Sequence, residues 1–198
     1  MKKLVFTIVA MLIIAVGAAS AQDIYDVQGK NSVEPEEKEL SRQERKMLQE
    51  RIDSMQWATA MEAINDTAFV LEADQVIFKY GQRAYVSSTT NFVSVYKRDA
   101  TLQVAFNVPA AGPNGMGGIT LDGMVTSYKV STSKKGDMVN IDMNVSGVGI
   151  SSHLFISMFR GSNKAQVDVL PNFNSHRISL SGRILPADQS FVVKGRSI

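Results

Sequence analysis

The chain has 198 residues, a formal net charge of +2 and no cysteine. The lack of cysteine excludes disulfide bonds, thiolate metal sites, cysteine nucleophiles and a lipoprotein-type lipid anchor, which needs a cysteine directly after the signal. Charges of both signs are scattered along the chain, so the sequence does not indicate the basic surface that nucleic-acid binding requires.

The first 21 residues have the features of a secretory signal peptide. Lys2 and Lys3 form a basic start, residues 4–16 are apolar, and Ala19-Ser20-Ala21 is a small-residue cleavage site. The apolar run is short for a membrane span, and the cleavage site argues against the alternative of an uncleaved N-terminal anchor. We therefore predict an exported periplasmic or cell-envelope protein that is cleaved after Ala21, is not lipidated and has no transmembrane span. Cleavage removes both lysines and leaves a neutral mature chain, for which we predict no nucleic-acid partner.

A linker and one helix follow the signal peptide. Residues 22–40 are polar and are broken by Gly29 and Pro35, which predicts a flexible linker or tether. Ser41 and Glu44 fit the S-x-x-E capping box, and apolar residues then recur at helical spacing. We predict an amphipathic helix that covers one side of a sheet; the alternative is a helix that binds a partner. The helix is predicted over residues 41–66, with an apolar face of Leu48, Ile52, Met55, Thr59, Ala63 and Ile64.

The chain after Thr67 is typical of β-structure. The clearest strand is VNIDMNVS at residues 139–146, where apolar and polar residues alternate. Further short strands are predicted at AFVLEA, QVIFKY, RAYVSS, NFVSVYK, TLQVAFNV, HLFISMF, AQVDVL, RISLSGRI and SFVVKG. The connections are too short for parallel crossovers, so we predict an antiparallel meander. About ten strands favour a curled sheet that is barrel-like or sandwich-like, and residues 41–198 are predicted to form one mainly β (α+β) domain.

The stretch GPNGMGGITLDG at residues 112–123 has the glycine content of a phosphate-binding loop. Such a loop also needs a lysine after the glycines and a following helix, but Gly118 leads into the strand-like ITL and no lysine is near. Nucleotide binding is therefore not predicted. Asn114-Gly115 is a turn pair, and Gly117-Gly118 suggests that the backbone comes close to another segment. The apolar positions change phase at Gly123, which predicts a β-bulge there.

Groups suited to catalysis are few. The two histidines, His153 and His176, each directly follow a serine. Neighbours on a strand point to opposite faces, so this adjacency does not make a catalytic triad. A hydrolase would need one of these histidines beside a serine and an acid such as Asp142 or Asp168. Metal-ligand spacings and cofactor motifs do not occur, so we predict no catalytic residues, no metal and no cofactor, with a Ser/His/Asp hydrolase as the alternative.

Three stretches, preceded by FVLEADQV, together resemble one protein family. They are NFVSV at residues 91–95, NGMGGIT at residues 114–120 and LSGRILP at residues 180–186. Over residues 47–195 the chain is similar to the DUF4251 family of exported proteins from Bacteroidetes-type bacteria. The resemblance implies an envelope location and a compact β-rich domain. Because the family is uncharacterised, it implies no reaction, no ligand and no catalytic residue.

Export, neutral charge, a β-rich frame and few catalytic groups favour a non-enzymatic binding or interaction module. Its ligand would be a small apolar molecule, held in a cavity between sheet and helix, or an envelope protein. The alternatives are the hydrolase and a structural protein associated with the outer membrane, for which residues 22–40 would serve as a spacer. From two of the stretches that carry the resemblance we take six candidate ligand-binding residues: Asn91, Phe92, Asn114, Gly115, Gly117 and Gly118.

Overall fold

The computed structural model of the protein describes residues 41–105, 118–147, 150–171 and 177–197. The predicted signal peptide (1–21) and linker (22–40) lie outside these residues. So do four residues singled out from the sequence: Asn114, Gly115, Gly117 and His176. The described part contains one α-helix followed by strands, in agreement with the predicted fold class.

Helix α1 spans Arg42–Asn65, and the predicted capping box at its start is confirmed. The Ser41 hydroxyl accepts a hydrogen bond from the Glu44 amide (3.3 Å), and the Glu44 carboxylate accepts one from the Ser41 amide (2.8 Å). These bonds satisfy two amides at the helix start that have no intrahelical partner. They also stabilise the ionised carboxylate, so the hydrogen bonds from Ser41 lower the pKa of Glu44. Within the described ranges, no helix is long and apolar enough to cross a membrane.

Helix α1 covers the sheet as predicted, but only with its C-terminal half. The buried residues of the helix are Ala60, Ala63 and Ile64. The first three residues of the predicted apolar face are instead exposed: Leu48, Ile52 and Met55. Residues 41–50 are all exposed. The predicted packing of the helix on the sheet is therefore confirmed, but the predicted place of Leu48, Ile52 and Met55 on the packed face is wrong, because these three residues are exposed to solvent.

The strands of the described residues form a single antiparallel sheet. They are β1 Ala68–Ile77, β2 Arg83–Tyr85, β3 Phe92–Tyr96, β4 Asp99–Ala105, β5 Gly118–Thr132, β6 Met138–Gly147, β7 Ile150–Phe159, β8 Lys164–Pro171 and β9 Ile178–Pro186. Their order in the sheet is β2-β1-β3-β4-β5-β6-β7-β8-β9, which confirms the meander. Strand β1 also pairs with β9, from Phe69 opposite Pro186 to Ile77 opposite Ser179. This pairing closes the sheet into an eight-stranded barrel, with β2 as one extra strand on β1.

Three of the strands predicted from sequence differ in the structure. AFVLEA and QVIFKY belong to one strand, β1, in which the register with β9 shifts between Ala73 and Gln75. The extra residue at this irregularity is Asp74. Aspartate is a poor strand former, so the sequence predicts two separate strands where the structure has one. SFVVKG at residues 190–195 is not a strand. It follows the short 3₁₀ helix Ala187–Gln189 as extended chain without a place in the sheet.

Alternation places one face of each strand inside the barrel. On β6, Val139, Ile141 and Met143 are buried, and the residues between them are half-buried, which is the predicted pattern. The inward-facing side chains form one hydrophobic core together with the buried end of α1. Burial of each large aliphatic side chain contributes about 1.5–3 kcal/mol. The core therefore stabilises a barrel that has no disulfide bond.

Gly123 does not carry the predicted bulge. Pairing with β4 is unbroken through Gly123, and the register with β6 shifts only between Val125 and Ser127. The irregularity therefore lies at Thr126, and the prediction is wrong. A Cβ atom on Gly123 would lie 2.6 Å from Cγ1 of Val145. Glycine is required there because β5 and β6 come very close, and not because the strand bends at that residue.

Candidate functional site at the distal end of the barrel

The two ends of the barrel differ. Helix α1 covers one end, where Ile64 is fully buried and its carbonyl oxygen accepts a hydrogen bond from the Tyr128 hydroxyl (2.8 Å). We call the opposite end, where β4, β6 and β8 finish and β5, β7 and β9 begin, the distal end. Two large apolar side chains at the distal end reach solvent, Ile119 with 45% and Phe78 with 37% exposure. Ile119 lies opposite the core residue Val104, so the exposed apolar surface continues from the core.

Three of the predicted ligand-binding residues are described, and they lie together at the distal end. The Asn91 side-chain oxygen accepts a hydrogen bond from the Ala105 amide (2.8 Å), and Ala105 pairs with Gly118. Asn91 and Phe92 are both fully buried. A Cβ atom on Gly118 would overlap the carbonyl oxygen of Val104, which confirms the predicted close approach of the backbone. All three residues thus support the fold, and their contact with a ligand stays a prediction.

The structure also contains a buried polar cluster beside these residues, which the sequence analysis did not predict. The Gln103 side chain is fully buried on β4. Its amide nitrogen donates to the carbonyl oxygens of Thr90 (2.9 Å) and Val193 (2.8 Å). Its oxygen accepts hydrogen bonds from the Thr120 hydroxyl and the Gly195 amide, each at 2.7 Å. The full hydrogen-bonding capacity of the side chain is therefore used, and two of the partners lie far away near the C-terminus.

These bonds attach the C-terminal strap, residues 187–197, to the outside of the barrel. The Ser190 hydroxyl donates to the Glu72 carboxylate (2.7 Å), and Lys194 forms an ion pair with Asp122 (2.6 Å). Burial would raise the pKa of Asp122, but hydrogen bonds to the carboxylate, first of all from Lys194, outweigh burial and lower it. The strap thus contacts β1, β4 and β5. The alternating pattern of SFVVKG in this segment predicted a strand, and it did not indicate that the segment is held on the outside of the barrel.

A small cavity lies inside the barrel near the distal end. It encloses about 20 Å³, room for one water molecule. Its lining is mostly apolar and includes Val93, Leu102 and Leu121. Ser152 also lines the cavity, and its hydroxyl oxygen is buried without a hydrogen-bond partner in the described part of the chain. Because an unpaired buried hydroxyl costs about 1–3 kcal/mol, a polar group that entered here would be bound favourably.

A larger cleft of about 580 Å³ lies beside the β1–β2 turn. It is lined by Phe78, Lys79, Tyr80, Gln82, Arg177 and Ile178. The Tyr80 side chain is 82% exposed, and the Lys79 amine lies 5.9 Å from the centre of its ring. The volume falls within the range of small-molecule sites. The cleft combines exposed aromatic surface with two cationic side chains.

Arg177 at the edge of this cleft is held by Asp168. The two side chains form an ion pair, and the Ser179 hydroxyl donates a second hydrogen bond to the same carboxylate (2.5 Å). Burial would raise the pKa of Asp168, but the hydrogen bonds from Arg177 and Ser179 outweigh it and lower the pKa. The ion pair in turn raises the pKa of Arg177. The guanidinium is thus permanently charged and positioned.

A third depression, of about 380 Å³, lies at the covered end of the barrel and is acidic. Its carboxylates come from Glu62, Asp66 and Asp188. The described residues contain no group of three His, Asp or Glu side chains arranged to hold a metal ion. The three carboxylates of this depression are therefore not arranged as a metal site in the described part of the chain.

His153 pairs with one of the predicted acids. Its Nε2 atom lies 3.0 Å from the Asp142 carboxylate, and both side chains are partly exposed on β6 and β7. Ser152, which precedes the histidine, is instead buried in the core-facing cavity. Neighbouring residues of a strand face opposite sides, so His153 and Ser152 cannot act together as base and nucleophile.

The fold and site define a class of protein: an antiparallel eight-stranded barrel with a helix over one end and small-molecule-sized surface clefts. The chain belongs to the DUF4251 family, described as a domain of unknown function, whose model matches residues 52–184. It is also similar to a DUF4251 family protein from Bacteroides eggerthii DSM 20697 with a crystal structure at 1.95 Å resolution. The identity is 45%, the match covers 71% of this chain and 94% of that chain, and the TM-score is 0.62. The predicted family is thereby confirmed, and no curated protein matches.

Proposed function

We propose that this protein is an exported, non-enzymatic binding protein of the cell envelope, and that it binds a small apolar or amphipathic molecule at the distal end of the barrel. The observation that carries the proposal is apolar surface that is exposed to solvent at the distal end, where Ile119 and Phe78 lie. Phe78 also lines the cleft of about 580 Å³, and an exposed large apolar side chain at a cleft of this volume is a common feature of ligand sites. Ser152, whose hydroxyl has no hydrogen-bond partner among the described residues, lines the separate small cavity inside the barrel and could pair there with a polar group.

Native mass spectrometry of the protein purified from its own host, combined with lipid extraction, tests the binding proposal. We expect a co-purifying small molecule that is lost from the variant Phe78→Gln, because Phe78 is exposed at the distal end and also lines the cleft. The matched control is Met124→Gln, because Met124 is 50% exposed and is offset from the core-facing Ile119 by an odd number of residues, so it faces the other side of the sheet. Equal loss from both variants, or no bound molecule in the wild type, would contradict the proposal.

Export is tested by the mass and location of the native protein. The basic start, apolar run and small-residue cleavage site support cleavage after Ala21. We expect the mature chain to begin at Gln22 and to be recovered from the envelope. A chain that retains residues 1–21 would contradict cleavage. Recovery wholly as soluble periplasmic protein would argue against the alternative of an outer-membrane structural role.

A second candidate function is binding of an envelope protein through α1. The exposed N-terminal half of the helix carries four large apolar residues: Met47, Leu48, Ile52 and Met55. Such residues at helical spacing are the typical anchors of a helix that lies in a groove of a partner. A photo-crosslinker at Ile52 should therefore capture a defined protein in the envelope, whereas one at the exposed Ser54 should not. Equal capture at both positions would contradict a specific interface.

A further inference from the structure

The tip of the β1–β2 turn contains a lysine and a tyrosine that the turn does not need in order to form. The Phe78 carbonyl accepts the Gly81 amide (2.9 Å), and Gly81 has a positive φ of 82° that suits glycine. Between them stand Lys79 and Tyr80, whereas turn positions usually hold small polar residues. The Tyr80 side chain is 82% exposed, so it adds little to the core. An exposed aromatic ring at this place is better explained by contact with a ligand.

The other wall of the cleft is apolar at its base and cationic at its edge. Ile178, at the start of β9, packs against the hydrophobic core, and Arg177 precedes it. Arg177 remains 54% exposed although it pairs with Asp168. Asp168 contacts one terminal nitrogen of the guanidinium, and a guanidinium has five donors. Among the described residues, Asp168 is the partner of this guanidinium, so donors of Arg177 are left for a ligand.

The charges of the cleft select an anion. In the described part of the chain, Lys79 has no carboxylate within ion-pair distance; its amine lies over the ring of Tyr80. Arg177 is neutralised by Asp168, so the two cations and one carboxylate leave a net charge of about +1 facing the cleft. A ligand with one negative charge and an apolar body complements this surface.

We infer that this cleft binds an amphipathic carboxylate. Its apolar chain lies against Phe78, Tyr80 and Ile178, and its carboxylate faces Lys79 and Arg177. The inference rests on the proposed function and names the chemical class of the ligand. A carboxylate suits this place because Arg and Lys both donate to it, and an exposed aromatic ring provides a flat apolar surface for the chain.

Calorimetric titration of the mature protein with decanoate and with decanol tests the inference, because the two probes share one chain length and differ in charge. We expect decanoate to bind about fivefold more tightly, the size of an exposed ion pair. Lys79→Gln should remove this difference, and Tyr80→Ala should weaken the binding of both probes. Added salt should reduce the advantage of decanoate and leave decanol unchanged.

The chain offers a matched control at the covered end of the barrel. Lys97 lies over the ring of Tyr96 at 5.6 Å, the same kind of pair as Lys79 and Tyr80. Lys97→Gln and Tyr96→Ala should leave both affinities unchanged. An effect of the control variants equal to that of Lys79→Gln would overturn the inference, since binding would then be non-specific.

The outcomes separate this inference from the proposed function. If both probes bind equally and only Phe78→Gln abolishes their binding, the distal end binds apolar molecules and the inferred carboxylate site is wrong. If neither probe binds while the native protein carries another small molecule, the inferred ligand class is wrong and the proposed function stands. If neither probe binds and the native protein carries nothing, both are wrong.

Discussion

Gln103 shows how one side chain holds the strap on the barrel. Its side-chain amide forms hydrogen bonds with the backbone of Val193 and Gly195. The side chain of Gln103 thus gives the strap the kind of hydrogen bonds that the backbone of a neighbouring strand would otherwise provide. It is fully buried, and hydrogen bonds with little access to water are costly to break. The strap therefore depends on this amide more than on its own apolar residues, since Phe191 and Val193 are exposed.

Replacement of Gln103 by leucine should lower the free energy of unfolding by about 2–4 kcal/mol, because buried carbonyl and amide groups lose their partners. Chemical denaturation measures this change. The strap should also detach locally, and trypsin should then cleave after Lys194 before the barrel unfolds. Gln49→Leu, on the exposed part of α1, is the control. Unchanged stability and unchanged proteolysis in Gln103→Leu would contradict the role given to this side chain.

The ion pair of Lys194 with Asp122 gives the strap a dependence on pH. Because the pKa of Asp122 in the folded state lies below its ordinary value of 3.8, the carboxylate stabilises the fold above that value, and this contribution is lost as the pH falls through the lowered pKa. The unfolding temperature of Asp122→Asn should thus lie below that of the wild type near neutral pH, and the difference should shrink as the pH falls below 3.8. Lys194→Gln should show the same trend. A difference that grew on acidification would refute the assignment.

At the scale of elements, α1 is attached by its last turns. The Tyr128 hydroxyl donates to the Ile64 carbonyl oxygen (2.8 Å), one of the carbonyls that a helix end leaves without an intrahelical partner. Burial raises the pKa of Tyr128, which keeps the hydroxyl a donor. Residues 41–50, at the other end of the helix, are all exposed to solvent. The stability of the helix therefore depends on its C-terminal end.

Tyr128→Phe should lower the free energy of unfolding by about 1 kcal/mol, the net value of one hydrogen bond. Amide hydrogen exchange should increase in the last turn of α1 and stay unchanged in β6. Tyr96→Phe is the matched control, because the Tyr96 side chain is 56% exposed. Equal effects of the two substitutions would show that the hydrogen bond to Ile64 is unimportant.

The elements also show which features a sequence can reveal. Ser41 and Glu44 lie three residues apart, so the capping box depends on local geometry alone and was predicted correctly. The face of α1 that contacts the sheet depends on where the helix meets the barrel, and the apolar spacing of Leu48 and Ile52 does not contain that information. In the same way, the phase change at Gly123 indicated an irregular place in β5 but not that Thr126, rather than Gly123, is the extra residue.

At the scale of the whole molecule, the short connections in the sequence predict the meander, but they do not predict that the sheet closes into a barrel. Neighbouring strands pair because their connections are short. The pairing of β1 with β9 joins Phe69 to Pro186, and no local pattern specifies it. The candidate site has the same limit. Asn91 and Gly118 were marked from sequence and are brought together, but the cleft between Tyr80 and Arg177 exists only because the barrel closes.

An engineered disulfide between β1 and β9 tests whether the barrel closes. Because the protein has no native cysteine, the two introduced cysteines can pair only with each other. Glu72 and Arg183 lie directly opposite each other on β1 and β9, so Glu72→Cys with Arg183→Cys should form a bond on oxidation. Because the bond would close a long loop, it should stabilise the folded protein by about 2–4 kcal/mol, and reduction should remove the gain. Thermal unfolding with and without reductant measures both states.

Lys164 provides the control for this experiment, since it lies opposite Arg183 on the far side of β9. It is thus two strand spacings from Glu72, about 10 Å, which exceeds the reach of a disulfide. Glu72→Cys with Lys164→Cys should therefore stay reduced in the folded protein. Bond formation in this control pair and not in the first would show that β1 and β9 are not neighbours, and the cleft that depends on their pairing would then not form.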